Sequence, residues 1–567
     1  MPTRQRKKWD IGNTTMRNPL RLAGALRVFH DAVEGSRWNA ASQEAYWAAL
    51  KAAGEIESEA VTERASFGRK FYSALRQLGF VQLHSDGTVS TTPVGLHLLA
   101  HPELLQQVML RQLLKYRIGS PLEPQDLLSL RPFVAILRVL KGLADAGLPG
   151  LSLHEVALYL IPLQRDDDAS IERVVSRVLA HRVEEGGIRG LTAKTRWLAE
   201  KYASVEQTTT AQHTLRDYAD SSMRYVRLTG LVSASASSGR FELAASRADD
   251  ITELLASIPR DVDDDAYLDH LHDPSEPSLP MDDEPKLDRR ILRVQEEIER
   301  MSVEVAPTQL AEVGPIPVAE RQQQLFRLEA LRDELRETEF YRVQRTRASL
   351  MHTLGVLRDI RSRKLAPGLH APAYLEWAVW RLMLAINDLA GSVASSRGFK
   401  VDSEFEPLGH AIAGVPDTEF EYASDVLVGE VTLTTSGRQV AAEGEPVRRH
   451  IAHSVRRHAG KRVLGILVAP SIDPNTHADF YDASYYIDGD EIVTEIVPLT
   501  IDDVIFVIEE MLTHNRVISH SDLLATLQMI LDSRPEYRNG IEWGRAYPEV
   551  FRERVSEAVR RAGVVLS

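Results

Sequence analysis

Residues 415–453 read VPDTEFEYASDVLVGEVTLTTSGRQVAAEGEPVRRHIAH, and this stretch decides the fold of the C-terminal half of the chain. Asp417 follows a proline and opens a short alternating run, 418–422, that predicts a strand. A second run, 426–433, is apolar and β-branched enough to be a buried strand, and Glu430 interrupts it. Because an ionised carboxylate buried without a partner is strongly unfavourable, Glu430 requires a neighbour that neutralises its charge.

Asp417 and Glu430 are candidates for a shared cation site. Two converging carboxylates repel each other unless a cation lies between them. Oxygen ligands of this kind suit Mg²⁺, which binds few protein carboxylates, keeps several waters and shares itself with a substrate phosphate. The pair therefore indicates metal-assisted phosphodiester hydrolysis. The alternative is a turn aspartate followed by a glutamate that is paired to an arginine, and spacing alone does not separate the two.

Two segments beside this pair carry a family resemblance. Residues 430–435 read EVTLTT and residues 443–450 read EGEPVRRH. They closely resemble the cleavage domain of the AlwI-type type IIS restriction endonucleases and their nicking relatives, which belong to the PD-(D/E)XK nuclease superfamily. The resemblance implies that Asp417, Glu430 and Glu443 bind Mg²⁺ and that His450 is a polar residue of the same site.

The sequence departs from the superfamily pattern at Thr432, where lysine is usual. The water-activating role of that lysine must then pass to Glu443, to His450 or to the metal. Upstream, residues 374–389 form an apolar helical pattern that contains Glu376. The family has a glutamate at the active site on the matching helix, which implies a catalytic role for Glu376; a salt bridge to Arg381 is the alternative.

The composition is that of a soluble globular protein large enough for three or four domains. The 567 residues are 44% hydrophobic and include no cysteine, which excludes disulfides and zinc-thiolate sites. No signal peptide and no run of about 18 apolar residues is present, so we expect no membrane association and a cytoplasmic location.

The charge is divided unequally along the chain, whose net charge is −14. Residues 1–260 carry 33 Lys and Arg against 28 Asp and Glu, whereas the remainder carries 34 against 53. A mildly basic front half suits binding of a polyanion, and an acidic rear half suits metal binding and solubility. This distribution is the one expected if the front half binds a polyanion, and the family resemblance implies that the polyanion is double-stranded DNA.

Two parts of the front half show the plan of a winged helix, in which a helix is followed by a β-hairpin. Within 60–100, a helix at 66–79 precedes two short strands about Asp86-Gly87, a strong hairpin signal. Within 210–246, a helix ending at Gly230 precedes a second hairpin with a Ser/Ala-rich turn. Such helices contact DNA in the major groove. Winged helices that pack only against protein are the alternative.

Several basic and polar residues are predicted to contact DNA. The N-terminal stretch 9–21 resembles the N-termini of the same endonuclease family and holds residue types that reach base edges and phosphates. The helices of the two winged-helix candidates and the helix at 447–458 add further arginines. The predicted contacts are Arg17, Asn18, Arg21, Arg69, Lys70, Arg76, Arg224, Arg227, Arg448 and Arg449.

The predicted organisation has four parts. Residues 1–260 form the recognition region, and residues 261–285 form an acidic, proline-rich linker with ten acidic residues and no Lys or Arg, which we expect to be extended by the repulsion of its charges. Residues 286–366 form a helical connector, and residues 367–567 form an α/β PD-(D/E)XK-like cleavage domain, in which the apolar runs 462–468 and 492–499 are further predicted strands. The expected fold class is therefore multidomain, mainly α with tandem winged helices in the N-terminal half, with an α/β C-terminal domain.

We expect a Mg²⁺-dependent type IIS restriction endonuclease, or a strand-specific nicking endonuclease, that cuts DNA at a distance from a short asymmetric site. One alternative is a winged-helix DNA-binding regulator with an inactive nuclease-like domain; another is a structure-directed repair nuclease. A second copy or a separate small subunit would cut the other strand. The resemblance also implies a companion DNA methyltransferase in the cell.

Overall fold

The structure is a computed structural model, which describes residues 8–12, 14–56, 63–123, 129–206, 208, 210–258, 262–279, 282–301, 318–386, 388–412, 414–435 and 437–566. Helices predominate among these residues. The chain divides into two compact units. The first comprises Met1–Leu287 together with Asp402–Glu406, and the second comprises Asp288–Val401 and Pro407–Ser567. No helix among the described residues is long and apolar enough to cross a membrane.

The first unit is built from short helices and two β-hairpins. Its helices are α1 (Leu22–Val33), α2 (Ala40–Ala52), α3 (Arg64–Gln77), α4 (Pro93–Ala100), α5 (Leu105–Lys115), α6 (Pro132–Asp145), α7 (Leu153–Glu155), α8 (Asp168–Gly187), α9 (Leu191–Val205), α10 (Ala211–Leu228), α11 (Ala248–Ser257) and α12 (Asp264–His272). Its strands are β1 (Val81–Leu83), β2 (Val89–Thr91), β3 (Val232–Ser235) and β4 (Arg240–Leu243). A π-helical turn, Val156–Leu160, follows α7.

The two predicted helix-and-hairpin pairs are both present. Helix α3 precedes the antiparallel pair β1 and β2, and α10 precedes the antiparallel pair β3 and β4. Gly79 and Gly230 follow these helices with positive φ angles of 76° and 72°, which glycine adopts without steric cost. The chain therefore turns from helix to hairpin in the same way at both places.

Part of the predicted acidic linker is folded rather than extended. Helix α12 lies within 261–285, and its Tyr267 and Leu271 are buried. The Tyr267 hydroxyl accepts a hydrogen bond from the Arg117 backbone N–H at 2.9 Å, and Leu271 packs beside Gly79. The prediction of an extended segment is therefore wrong for α12. It was based on the acidic composition and did not take account of the two side chains that are buried.

Residues Asp402–Glu406 belong to the first unit although they are distant from it in sequence. The Asp402 carboxylate is buried and accepts hydrogen bonds from Arg227 Nη2 at 3.0 Å and Ser233 Oγ at 2.7 Å. Glu406 Oε1 accepts a hydrogen bond from the Ala236 N–H. This segment is thus held by the second hairpin and by the helix before it.

The second unit contains longer helices and most of the strands. Helix α13 (Glu284–Met301) begins at the boundary, and the unit continues with α14 (Val318–Val343), α15 (Arg347–Arg361), α16 (Ala371–Ile386), α17 (Glu445–Arg457), α18 (Pro474–Tyr481), α19 (Ile501–His514), α20 (His520–Asp532) and α21 (Gly540–Arg561). Its strands are β5 (Thr418–Glu421), β6 (Asp425–Val431), β7 (Arg462–Ala469), β8 (Ser484–Ile487), β9 (Asp490–Val493), β10 (Ile496–Thr500), β11 (Arg516–Val517) and β12 (Val564–Val565).

A four-stranded mixed sheet forms the centre of this unit, in the order β10-β7-β6-β5. Strand β5 is antiparallel to β6, whereas β6, β7 and β10 are parallel. Helix α17 connects β6 to β7 and packs on the sheet through Val447 and Ile451, which join Val428 and Leu467 in a buried cluster. Helix α16 is buried nearly all round and contacts β6. Strand β6 therefore contacts both the buried helix α16 and the apolar face of α17.

Candidate active site

The hairpin of β5 and β6 brings Asp417 beside the end of β6. Thr418 pairs with Gly429 in the antiparallel register, so Asp417 lies next to Glu430 and Val431. The Asp417 Oδ2 atom accepts a hydrogen bond from the Val431 N–H at 2.8 Å. Glu430 is only 7% exposed although it lies in a strand of apolar residues. The strand pattern predicted this pair, and the hairpin brings the two residues together.

Glu443 lies on a π-helical turn, Val440–Gly444, directly before α17. Its Oε1 atom accepts a hydrogen bond from Thr432 Oγ1 at 2.7 Å. Thr432 Oγ1 in turn accepts one from the Thr434 N–H at 3.0 Å. Thr432 therefore fixes the position of Glu443.

His450 on α17 shares a hydrogen bond with Glu430, with 2.8 Å between Nδ1 and Oε1. Burial, assisted by Arg449, lowers the pKa of His450 to about 4, so the imidazole is neutral near pH 7. The contact is therefore a hydrogen bond rather than an ion pair. When Glu430 is ionised, Nδ1–H donates to it and Nε2 is left as an acceptor. No hydrogen-bond partner of Nε2 occurs among the described residues.

Glu376 is a fourth acidic residue of the group. It lies on α16, is 4% exposed, and accepts a hydrogen bond through Oε2 from the Ala411 N–H at 2.8 Å. The alternative partner, Arg381, instead donates to Gln344 Oε1 and Ser349 Oγ. Glu376 thus interacts with the acidic group, and no salt bridge between Glu376 and Arg381, the alternative, occurs among the contacts of the described residues.

The electrostatics of the four carboxyls link them into one group. Burial raises the pKa of each of them. The charge of Asp417 raises the pKa of Glu376 further, the charge of Glu430 raises that of Asp417, and the charge of Glu443 raises that of Glu430. Hydrogen bonds from Ala411, Val431 and Thr432 only partly offset these increases. The four carboxyls therefore lack enough nearby positive charge to neutralise them when they are ionised.

The donor set fits a hard divalent cation, because every candidate ligand is a carboxylate oxygen. Asp417 uses one oxygen in a hydrogen bond with the Val431 N–H, and within the described ranges no hydrogen bond occupies its other oxygen. Over the same ranges, no three His, Asp or Glu side chains already surround one point as metal ligands. The fit is therefore to an ion held by two carboxylates and completed by waters and substrate oxygens.

The residues predicted to contact DNA occupy several environments. Arg69 and Lys70 on α3 are exposed, and Arg76 is half-buried. Others take part in local contacts: Arg17 pairs with Asp217, Arg21 donates to Glu55 O, Asn18 caps a short helix, Arg224 pairs with Asp220, Arg448 pairs with Asp479 and Arg449 pairs with Glu445. These contacts leave the predictions untested.

Arg227 is the exception, and its predicted role is wrong. The residue is 6% exposed and forms a buried ion pair with Asp402. A guanidinium in this position cannot reach DNA without breaking that pair. The basic residue on a helical face was identified correctly, but its acidic partner lies 175 positions away in sequence.

One residue near the site was missed by the sequence analysis. Gln439 is fully buried, donates from Nε2 to Thr434 O and Ser471 O, and accepts through Oε1 from Asp473 N and Thr476 Oγ1. Gln439 lies at the start of the helix that carries Glu443. Its side chain bonds this point both to the loop after β6 and to the start of α18. The available signal was its place four residues before Glu443, where two helical residues share a face.

Comparison with known proteins identifies the class and then the family. Residues 76–507, about three quarters of the chain, match the sequence model described as AlwI restriction endonuclease. A match of this extent shows that the chain is a restriction endonuclease, an enzyme that acts on DNA. It belongs to the AlwI restriction endonuclease family, as the resemblance in 430–450 predicted.

Two other comparisons add context. No curated protein matches the chain. One matching solved structure is the small subunit, R.BspD6I2, of the heterodimeric restriction endonuclease R.BspD6I, with 22% sequence identity and a TM-score of 0.28. That match covers 34% of this chain and 98% of the small subunit.

Proposed function

We propose that this restriction endonuclease is a Mg²⁺-dependent type IIS enzyme, or a nicking relative, with a PD-(D/E)XK cleavage domain. The observation that carries the proposal is the group of four carboxyls near the end of β6, of which Glu376, Asp417 and Glu430 are buried and Glu443 is half-buried, and whose charges raise one another's pKa. A structural role does not require such an arrangement, because each member raises the cost of ionising another. Binding of a cation and a phosphate relieves that cost.

Each residue of the group has a distinct proposed role. Asp417 and Glu430 hold the cation, which supplies Lewis-acid stabilisation of the charge on the phosphate. Glu443, held by Thr432, either completes the ligand set or accepts the proton of the attacking water. His450 orients Glu430 through the Nδ1 contact, and Glu376 adds a further acidic group behind Asp417.

The first unit is proposed to recognise DNA through two winged helices, at about 60–100 and 210–246. Support comes from the helix-and-hairpin pairs and from exposed Arg69 and Lys70 on α3. The proposed domain boundaries remain 1–260, 261–285, 286–366 and 367–567, with the folding of α12 as the noted change. Recognition and cleavage would then be carried by different parts of the chain, which permits cutting at a distance from the site.

Further proposals concern the cell and the partners. The absence of cysteine suits a reducing compartment, so we place the enzyme in the cytoplasm. A restriction enzyme requires protection of the host DNA, for which a companion methyltransferase is proposed. A second copy or a small subunit is proposed to cut the second strand, because one acidic group serves one strand.

Metal-dependent cleavage of plasmid DNA tests the proposal. Purified full-length protein is incubated with a supercoiled plasmid mixture in Mg²⁺, in Ca²⁺ or in EDTA, and the cut ends are sequenced. We expect nicks or fragments at fixed positions with Mg²⁺ and no cutting in EDTA. Binding without cutting in every metal would indicate an inactive nuclease-like regulator, and cutting that follows DNA structure would indicate a repair nuclease.

A further inference from the structure

The end of α8 and the start of α9 form an exposed corner of the first unit, which we call the α8–α9 tip and define as residues 183–196. Val183 and Leu191 are 79% and 82% exposed, the highest values among the exposed large hydrophobic side chains of the described residues. Helix α9 has one buried side chain, Tyr202, which holds its far end. The tip therefore presents apolar side chains that no described part of the chain covers.

The charges of the tip leave a surplus of positive charge. The acidic residues near it are paired with lysines of α9: Glu184 with Lys201 at 2.5 Å, and Glu185 with Lys194 at 3.7 Å. Arg189 and Arg196 are exposed and form no hydrogen bond or ion pair with any residue that the structure describes. Two unpaired guanidinium groups beside neutralised acids are complementary to a polyanion.

The glycines of the tip give an independent indication. Gly190 has a φ of 85°, so the turn requires glycine there. Gly186 and Gly187 have ordinary helical geometry, and a Cβ atom at either would meet nothing within 4 Å. Because glycine weakens a helix relative to alanine, no contact with the described residues accounts for these two glycines. Close approach of another molecule's backbone does account for them.

We propose that the α8–α9 tip is a DNA-contact surface that lies against a groove of the duplex. Arg189 and Arg196 bind phosphates, Val183 and Leu191 face the sugars and base edges, and the two helical glycines let the sugar–phosphate backbone pass closely. DNA is favoured over a second copy of the chain. A contact between two tips would place their unpaired arginines in one interface, where both acidic residues of each tip, Glu184 and Glu185, are already paired with lysines.

Equilibrium binding in EDTA tests the arginines without any need for cleavage. Full-length wild type and Arg189→Gln/Arg196→Gln are titrated, across a range of salt, against a fluorescently labelled duplex that the wild type binds. We expect about tenfold weaker binding and a salt slope smaller by about two, as expected for loss of two phosphate contacts. The matched control is Arg327→Gln/Arg545→Gln, which changes two exposed arginines of the second unit and should retain wild-type affinity. Unchanged binding by the tip variant overturns the proposal.

The glycines provide a second, distinguishing variant. Gly186→Ala/Gly187→Ala should unfold at an equal or higher temperature than wild type, yet bind the same duplex about tenfold more weakly. Gly355→Ala, at another helical glycine with open space around it, should match the stability gain without weakening binding. A lower unfolding temperature for the tip variant would show an internal role and overturn the proposal. So would unchanged DNA affinity accompanied by altered self-association in sedimentation velocity, which would identify a contact between copies.

Discussion

The acidic group of the candidate active site opposes the stability of the fold that holds it. The group consists of Glu376, Asp417, Glu430 and Glu443. Each carboxyl is buried or half-buried, and along this series the charge of each residue raises the pKa of the one before it. Repulsion of this kind destabilises the folded state until a cation or a proton neutralises it. The residues are therefore positioned for chemistry at a cost in stability.

Substituting Glu376→Gln should stabilise the metal-free protein. The amide oxygen can still accept the Ala411 N–H, while the group whose ionisation the fold opposes is removed. Because burial raises the pKa of Glu376 in the folded state, the unfolded chain loses this proton first, and stability falls as pH rises above the unfolded value near 4.5. Thermal unfolding in EDTA should show a higher Tm for the variant at pH 8 and a smaller difference at pH 5.

Exposed Glu200→Gln is the matched control for that measurement and should leave Tm unchanged at both pH values. An equal or lower Tm for Glu376→Gln at pH 8 would contradict the account of carboxylate repulsion.

Thr432→Val should slow cleavage by about 10- to 100-fold, the range found when partners of active-site ligands are lost. The change removes the hydroxyl that donates to Glu443 Oε1 but keeps the side chain's shape. Thr432→Ser should restore most of the rate, because the donor returns. Cleavage rates under Mg²⁺ titration are the measurement, with exposed Thr435→Val as control. A wild-type rate for Thr432→Val would show that the contact does not position Glu443.

Individual residues were predictable where local pattern sufficed. Asp417 and Glu430 follow from two short strand patterns, whereas Glu443 followed only from the family resemblance, since helical patterning says nothing of a π-helical turn. The partner of Thr432 was not predictable because a hydroxyl contact leaves no periodic signal. Arg227 was misassigned because its buried partner, Asp402, is remote in sequence.

Most elements of secondary structure near the site agree with the sequence patterns. The predicted strands 418–422 and 426–433 correspond to β5 and β6, and the predicted strand near 462–468 corresponds to β7. The predicted strand 492–499 is instead two strands, because the Thr494 N–H bonds to Ala483 O while Glu495 O accepts from Gly465. Long-range backbone pairing of this kind overrides a local pattern.

The return of residues Asp402–Glu406 to the first unit is a second feature that no local pattern shows. Asp402→Ala should therefore destabilise the first unit by about 3–5 kcal/mol, because it removes the carboxylate partner of a buried arginine. Adding Arg227→Met should recover much of the loss, since both charges are then absent. Denaturant unfolding followed by circular dichroism measures both variants.

Glu404→Ala serves as the control for this experiment, because it removes only the exposed contact with Ser246. We expect a loss of less than about 1 kcal/mol for this control. If Asp402→Ala is no less stable than Glu404→Ala, the buried pair does not hold the segment in place.

For the whole molecule, the number of acidic groups sets the number of strands that one chain can cut. The family match spans 76–507 and therefore includes residues of both units. The sequence holds one arrangement of Asp417, Glu430 and Glu443. The two strands of a duplex run in opposite directions, so one rigid group cannot meet both scissile phosphates in the same orientation.

Dilution of the enzyme should therefore increase the ratio of nicked to linear plasmid product. Double-strand cutting needs a second cleavage domain, and the fraction of DNA-bound enzyme that associates with one falls as the enzyme concentration falls. Added Asp417→Asn protein should also increase nicking, because mixed pairs cut one strand. Gel analysis of a supercoiled plasmid measures both effects. Linear product that forms in one step at a rate independent of enzyme concentration would contradict this expectation.

The most direct test of the central claim is cleavage by Asp417→Asn and Glu430→Gln beside wild type. Full-length proteins are compared for plasmid cleavage in Mg²⁺ and for duplex binding in EDTA. The account predicts loss of cleavage by at least about 1,000-fold in both variants, as when a metal ligand is lost, with DNA affinity within about threefold of wild type. Cleavage by either variant near the wild-type rate would contradict the assignment of the acidic group as the active site.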